Sequence, residues 1–449
     1  MAVVGGASHA GPVTDPLSDE LRDVVGDQEV GRRIPRALTP FTTPAYRWLA
    51  VSLTASSFAN GVWVVALVWQ VIGLGGGPAD LSFVTTASAI GVLLPALVAG
   101  VVADRVPQRV ILVAVALVEL AGMSLVALLS SMGLASLWLL AGVAFTTGMG
   151  MAFYYPAYSA WLPALVPESQ LQAVNGFEGM VRPTIGQAVG PAVAGAVVAA
   201  SSPSTAFAVA AGASVVTVLA LFKVPQTPIR RTLDEEHGTH PVRTALRDMR
   251  EGFLYMVRTP WLLATLLFAS LMVLVMMGPL EVLIPFLVKD ELGGGPSDHA
   301  LVLAGFGLGG AVGSLAMASV RMPRRYLTLM NLGWGAACLP FLLIGVTTQI
   351  WVVVACAFVM GAVFAAPMVI WGTLLQRRVP PALLGRVASL DFFVSVSLMP
   401  VSMALAGPVA DRIGLQATFA VAGTVPIVVA VVATLWARLP QDEIAHPLD

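Results

Sequence analysis

Twelve apolar runs, each long enough to cross a lipid bilayer, follow one another along this sequence. A hydrocarbon core about 30 Å thick needs roughly 20 apolar residues in a helix. Runs of that size fall at 46–73, 80–103, 109–131, 135–165, 170–200, 204–223, 260–288, 299–320, 326–346, 350–376, 383–410 and 415–437, numbered spans 1 to 12 in chain order. Lipid offers no partner for backbone N–H and C=O groups, so each run must close its own hydrogen bonds as a helix. Of the 449 residues, 57% are hydrophobic and only 11% charged, against about 25% charged in a soluble domain. The expected fold class is an all-α integral membrane protein with twelve transmembrane helices.

The few charges set the orientation. With the N-terminus inside, 21 of the 24 Lys and Arg residues fall on the inner side, as the positive-inside rule requires. Both termini are therefore expected in the cytoplasm of a cell-membrane protein. Residues 1–44 are polar and rich in Gly, Pro and Asp, and suggest a disordered tail without a signal-peptide pattern. Bundles of six spans occupy 45–223 and 260–437, with a polar linker at 224–259 and a short tail at 438–449. In the linker, Val242, Leu246, Met249, Phe253 and Met256 recur at helical spacing, opposite Arg243, Arg247 and Arg250. That pattern fits a helix lying on the membrane surface or packed on the bundle.

The two bundles look like copies. "LGGGPAD" (74–80) matches "LGGGPSD" (292–298), and "RVPQR" (105–109) matches "RMPRR" (321–325). "AFTTG" (144–148) matches "AFVMG" (357–361), and "FAVA" occurs at 207–210 and 419–422. The offsets are 218, 216, 213 and 212, nearly constant along the chain. Parallel six-helix repeats are one transporter architecture, with the substrate site between the halves near the bilayer midplane.

Gly100, Asp104, Arg105 and Arg109, at the end of span 2, resemble the span 2–3 signature of the major facilitator superfamily, with Pro107 where that family has glycine. The likeness extends over 46–437. It implies the major facilitator fold, and a latch in which Asp104 holds the start of span 11 across the inner seam. A helix N-terminus suits such a carboxylate; the plainer alternative is that these charges only end the helix and fix topology. A second motif, "GQAVGPAVAG" (186–195), is similar to the family's exporter signature, carried by Gly186, Gly190, Pro191 and Gly195. Small residues permit close helix packing and Pro191 frees a carbonyl, so span 5 is expected to be tight and kinked at the interface between halves. "PALVPESQLQAVNG" (163–176) and "LLQRRVPPALLGRV" (374–387) are similar to the branch holding enterobactin-type siderophore exporters and macrolide and multidrug efflux proteins.

Ionisable groups inside spans are functional candidates by default. They are Glu119 in span 3, Glu178 and Arg182 in span 5, Glu281 in span 7 and Asp391 in span 11. No histidine is assigned to a span, which would exclude a histidine proton relay. Glu178 and Arg182 lie four apart on one helix face. Glu178 and Asp391 each follow a Val-Pro pair by the same eleven positions, which makes them mates in the repeat. Glu178, Arg182 and Asp391 are expected to form a polar cluster in the pathway, or else a buried ion pair that only fixes span 5. Related exporters often carry an acid in mid-span 1, where this chain has Asn60. Trp63, Tyr154, Tyr155 and Tyr158 fall on spans that the resemblance places at the central cavity, where ring faces suit lipophilic cations. Trp161 and Trp371 fit the cavity or an interfacial belt.

These readings converge on a secondary exporter, working as a monomer by alternating access and exchanging protons for a lipophilic or amphiphilic small molecule such as a drug or siderophore. Uptake or passive facilitation by the same fold is the alternative. No enzyme constellation, cofactor, metal site or nucleic-acid partner is expected. The two cysteines, Cys338 and Cys356, lie in apolar runs with no metal-ligand spacing.

Overall fold

The computed structural model describes residues 36–448, apart from 97, 100, 101, 103–105, 168, 169, 228–240 and 321. Eleven of its helices are long and apolar enough to cross a membrane, and Pro78–Leu93 adds a shorter apolar one at span 2. Many begin with proline in the first turn, including Pro44–Gly73 (span 1), Pro203–Lys223 (span 6), Pro260–Gly278 (span 7) and Pro296–Ser319 (span 8). A proline there gives up an N–H that has no helical partner anyway.

The turns that open spans 2 and 8 are built alike. Asp80 accepts a hydrogen bond from the Gly77 N–H at 2.9 Å, and Asp298 accepts one from Gly295 at 2.8 Å. Gly75 and Gly293 adopt left-handed φ values of +79° and +63°, a conformation that favours glycine. The repeated "GGGP" motif is thus one local structure made twice.

The packing repeats as well. Span 1 packs on spans 5 and 6, span 2 on span 4, and span 3 on spans 4 and 6; span 7 packs on spans 11 and 12, span 8 on span 10, and span 9 on spans 10 and 12. Gly91 and Gly148 bring spans 2 and 4 together so closely that a Cβ on either would strike the carbonyl of Phe145 or Ser88. Gly309 and Gly361 do the same for spans 8 and 10, against the carbonyls of Phe358 and Phe306. These four residues stand 218 and 213 positions apart, the offsets of the sequence motifs.

Two seams join the halves: span 2 against span 11, and span 5 against span 8. Both are tight at the end of the molecule that carries the glycine turns. Gly407 lies on Pro78 and Ala79 and donates its N–H to Ser82 Oγ at 3.0 Å, while Gly195 lies on Pro296, Ser297 and Ala300.

One expectation needs correction at the chain ends. Residues 1–35 of the supposed disordered tail fall outside the described residues, but Arg36–Thr42 is a 3-10 helix. Phe41 anchors it, with ring contacts to Tyr46 and Phe177 at 5.3 and 5.0 Å. The segment after span 12 is a docked helix, Leu439–Ala445. There the buried Glu443 carboxylate accepts the N–H groups of Leu327 and Thr328 at the start of span 9. It satisfies donors that a helix N-terminus otherwise leaves open. The linker forms the helix Pro241–Arg258, packed against spans 7 and 11.

Candidate transport site

Span 5 loses its regular winding where the exporter-like motif lies. Helix Leu171–Val181 gives way to a π-helix over Arg182–Val189 before α-winding resumes at Gly190–Ala200. Pro183, inside the segment, and Pro191, just beyond it, lack the N–H groups that would hold the preceding carbonyls. The backbone relaxes to wider bonds, with the Gly190 N–H reaching the Ile185 carbonyl. Such π-turns are frequent at functional sites. Gly186 and Gly190 face Ser57, Phe58 and Gly61 of span 1, inside their own half; Gly195 is the motif glycine that meets the other half. The expected interface role therefore divides between two faces of one helix.

Arg182 opens this wide turn. Its Nε donates to Glu178 Oε1 at 2.9 Å, and its guanidinium lies 4.4 Å from the Tyr155 ring centre and 5.9 Å from those of Tyr154 and Tyr158. Tyr154 and Tyr158 stack with centroids 5.6 Å apart. The cation is thus shared between a carboxylate and three rings of span 4, an arrangement that lowers the cost of holding it in the membrane.

Asp391 sits apart from that pair. Its carboxylate accepts a hydrogen bond from the Trp371 indole N–H at 3.0 Å and from the Ser395 hydroxyl at 3.3 Å. The expected cluster of three is therefore two sites. The repeat explains them. Tyr158 and Trp371, Glu178 and Asp391, and Arg182 and Ser395 are each separated by 213 positions. In both halves an aromatic of span 4 or 10 stands beside an acid of span 5 or 11, and a side chain one turn later touches that acid. Trp371 also makes edge contacts with Trp261 and Trp334, each at 6.3 Å. Both Trp161 and Trp371 are buried against protein, and the Trp161 indole N–H donates to Thr227 Oγ1, just past span 6, at 2.9 Å.

The other candidates scatter. Trp63 is buried against Phe207 of span 6, at 5.2 Å between ring centres. Asn60 is exposed on span 1. Glu119 is half-buried and lies beside Gly150 of span 4. Glu281 lies in a second π-turn, Pro279–Leu283, which packs on spans 2 and 11. Of the latch residues, Gly100, Asp104 and Arg105 lie outside the described residues. Arg109 instead binds within its own half, donating to the Phe222 carbonyl at 2.7 Å.

One residue was missed. His299 lies inside the helix Pro296–Ser319, buried at 3% exposure, with no partner for Nδ1 among the described residues. A histidine therefore does enter a span, contrary to the sequence expectation. The apolar run 299–320 already begins at His299, and the helix itself starts three residues earlier at Pro296, so His299 stands in the first turn of span 8. The signal was available: the copied "GGGP" turn already places Pro296 at a helix start.

The model of one protein family, described as transmembrane secretion effector, matches residues 36–447. The chain is 26% identical over 341 residues to macrolide efflux protein A of Streptococcus pyogenes, covering 75% of this chain and 82% of that protein. It is 28% identical over 417 residues to the multidrug efflux pump Tap of Mycolicibacterium fortuitum, covering 88% and 96%. Among solved structures, the nucleoside transporter NupG superposes with a TM-score of 0.64 at 13% identity, over 86% of this chain and 98% of that one. A bacterial homologue of the human lysosomal transporter Spinster, captured inward-facing and unoccupied, gives 0.63 at 17%, over 90% and 99%. At those identities the structures speak for the fold alone.

Proposed function

The chain belongs to the transmembrane secretion effector family of major facilitator transporters, and from that premise we propose that it is a proton-coupled exporter of lipophilic or amphiphilic small molecules. It is a multi-pass membrane transporter. It moves its substrate outward in exchange for protons, as a monomer with both termini in the cytoplasm. Export is favoured by the span 5 motif and by relatives named for macrolide and multidrug efflux.

One observation carries the coupling: the two related half-sites differ in compensation. Glu178 has a guanidinium partner, whereas Asp391 is held by two neutral donors. A carboxylate in a membrane without a cation partner gains most from taking up either a proton or a cationic substrate. In the proposed cycle Asp391 alternates between the two. The Glu178–Arg182 pair keeps its charges matched and, with the three tyrosine rings, shapes the pathway wall. The halves rock about the seams of spans 2 and 11 and of spans 5 and 8.

The test uses inside-out vesicles with an acidified lumen. Macrolides and lipophilic cations should collapse the pH gradient in wild-type vesicles and fail to do so with Asp391→Asn. A variant that collapses the gradient as wild type does removes Asp391 from the coupling path. Passive facilitation would appear as flux indifferent to the imposed gradient, and uptake as flux that the gradient drives in the opposite direction.

A further inference from the structure

A groove of about 610 Å³ opens on the wall of the N-terminal bundle, and neither Glu178 nor Arg182 lines it. That volume is in the range of small-molecule sites, about 300–1,000 Å³. One stripe of span 1 lines it: Arg47, Ala50, Val51, Thr54, Ala55 and Phe58, which recur at helical spacing. Phe177 and Ile185 of span 5 and Ala213 and Val216 of span 6 complete the walls. Phe41 of the 3-10 helix closes one end, set edge-on against Phe177.

The chemistry of the lining is divided sharply. Thr54 spends its hydroxyl on the Ala50 carbonyl at 2.8 Å, so the body of the groove presents no open polar group. Arg47 is the one charged lining residue, and no acid lines the groove. It is exposed in the first turn of span 1. Lys223, the last residue of span 6, lies 5.0 Å from the Trp48 ring at the same end of the bundle. Tryptophan with basic residues marks the headgroup level of a bilayer, so the groove runs from that level into the hydrocarbon. Val51 and Val216 on its rim are 40% and 46% exposed, on a face that meets lipid.

We propose that this groove binds an anionic phospholipid of the leaflet nearer the N-terminus, its acyl chain along spans 1, 5 and 6 and its phosphate against Arg47. An apolar trough with a single cation at its mouth complements such a molecule along its whole length. A zwitterionic lipid would gain the same apolar contact but less from the arginine. Ile185 belongs to both the groove wall and the π-turn of span 5. The bound chain therefore supports the helix segment that starts at Arg182.

Native mass spectrometry of the full chain in detergent, with added phosphatidylglycerol or phosphatidylcholine, tests this. Wild type should retain phosphatidylglycerol over phosphatidylcholine. Arg47→Gln should lower that preference about fivefold, the gain one basic residue makes at an anionic surface. Arg47→Lys should keep most of it, and Arg412→Gln, at the opposite end of the molecule, should change nothing. Ala213→Trp, which fills the trough, should reduce retention of both lipids. If Arg47→Gln keeps the wild-type preference, the proposal falls; this pair of Arg47 variants decides the matter even if Ala213→Trp does not fold. If Ala213→Trp keeps both lipids but raises the drug concentration needed for half-maximal flux, the groove is a substrate portal and the lipid assignment is wrong. Lipid retention is read without transport, so failure of the exporter proposal would leave this result standing.

Discussion

The N-terminal and C-terminal half-sites start from one pattern and end in different chemistry. Tyr158, Glu178 and Arg182 in the first half occupy the positions of Trp371, Asp391 and Ser395 in the second. The first half meets its acid with a full positive charge, itself spread over the rings of Tyr154, Tyr155 and Tyr158. The second meets its acid with an indole N–H and a hydroxyl. Backbone packing, by contrast, has stayed the same: the Gly91–Gly148 contact and the Gly309–Gly361 contact are interchangeable in kind. A repeat can thus keep its helix packing in both halves and still give the matching acids of its two half-sites different partners.

The largest effects should fall on that asymmetry. Asp391→Asn should bring pH-gradient-driven transport down to background, while Glu178→Gln, which keeps most of the local shape, should retain a measurable part of it. Equal loss in both, measured in the same vesicles, would mean that the two acids act as one unit. Next in size is a symmetric effect. Gly148→Val and Gly361→Val each drive a side chain into a facing carbonyl, and overpacking of this kind costs about 1–3 kcal/mol or more. Thermal unfolding in detergent should show both variants destabilised to a similar degree. A large loss in one half and none in the other would break the equivalence of the two packing seams. Then comes the charge pair itself. Arg182→Ser makes the first half-site resemble the second and leaves Glu178 without its cation, with a loss of about 1.5–3 kcal/mol. Glu178→Gln combined with Arg182→Ser should recover part of that loss, since the stranded charge goes with its partner. Additive losses in this cycle would show the pair to be uncoupled.

Much of this architecture was legible in the sequence because lipid enforces it. Long uncharged runs can only be helices, and the copied "GGGP" motifs announced the repeat, while the bonds of Asp80 and Asp298 in those turns appeared only in the structure. The relation of Glu178 to Asp391 was equally plain from their common distance to Val-Pro. What each acid touches was not, because contact across helices depends on which face turns inward, and one span read alone does not fix its rotation. Trp371 and Ser395 therefore appeared as partners of Asp391 only in three dimensions, although carrying the 213-residue offset through Tyr158 and Arg182 would have pointed to both. The π-turn in span 5 was half visible: Pro191 marked a freed carbonyl, but the widening needed Pro183 as well. His299 was overlooked although the apolar run of span 8 begins at that residue, at the end of the run where a polar side chain is easily read as loop.

The smallest effect separates the two donors on Asp391. The Trp371 bond at 3.0 Å is the shorter, and its ring is locked between Trp261 and Trp334, so it holds the carboxylate with little freedom to leave. The Ser395 bond at 3.3 Å is made by a side chain one turn along the same helix, free to rotate to other acceptors. Ser395→Ala should therefore cost only about 0.5–1.5 kcal/mol and leave gradient-driven transport largely intact. Trp371→Phe removes the donor while keeping a ring in place, and should impair transport more. If the order is reversed, the position matching Arg182 matters more than the aromatic position in both halves. The second half-site would then be a weakened copy of the first rather than a differently built one.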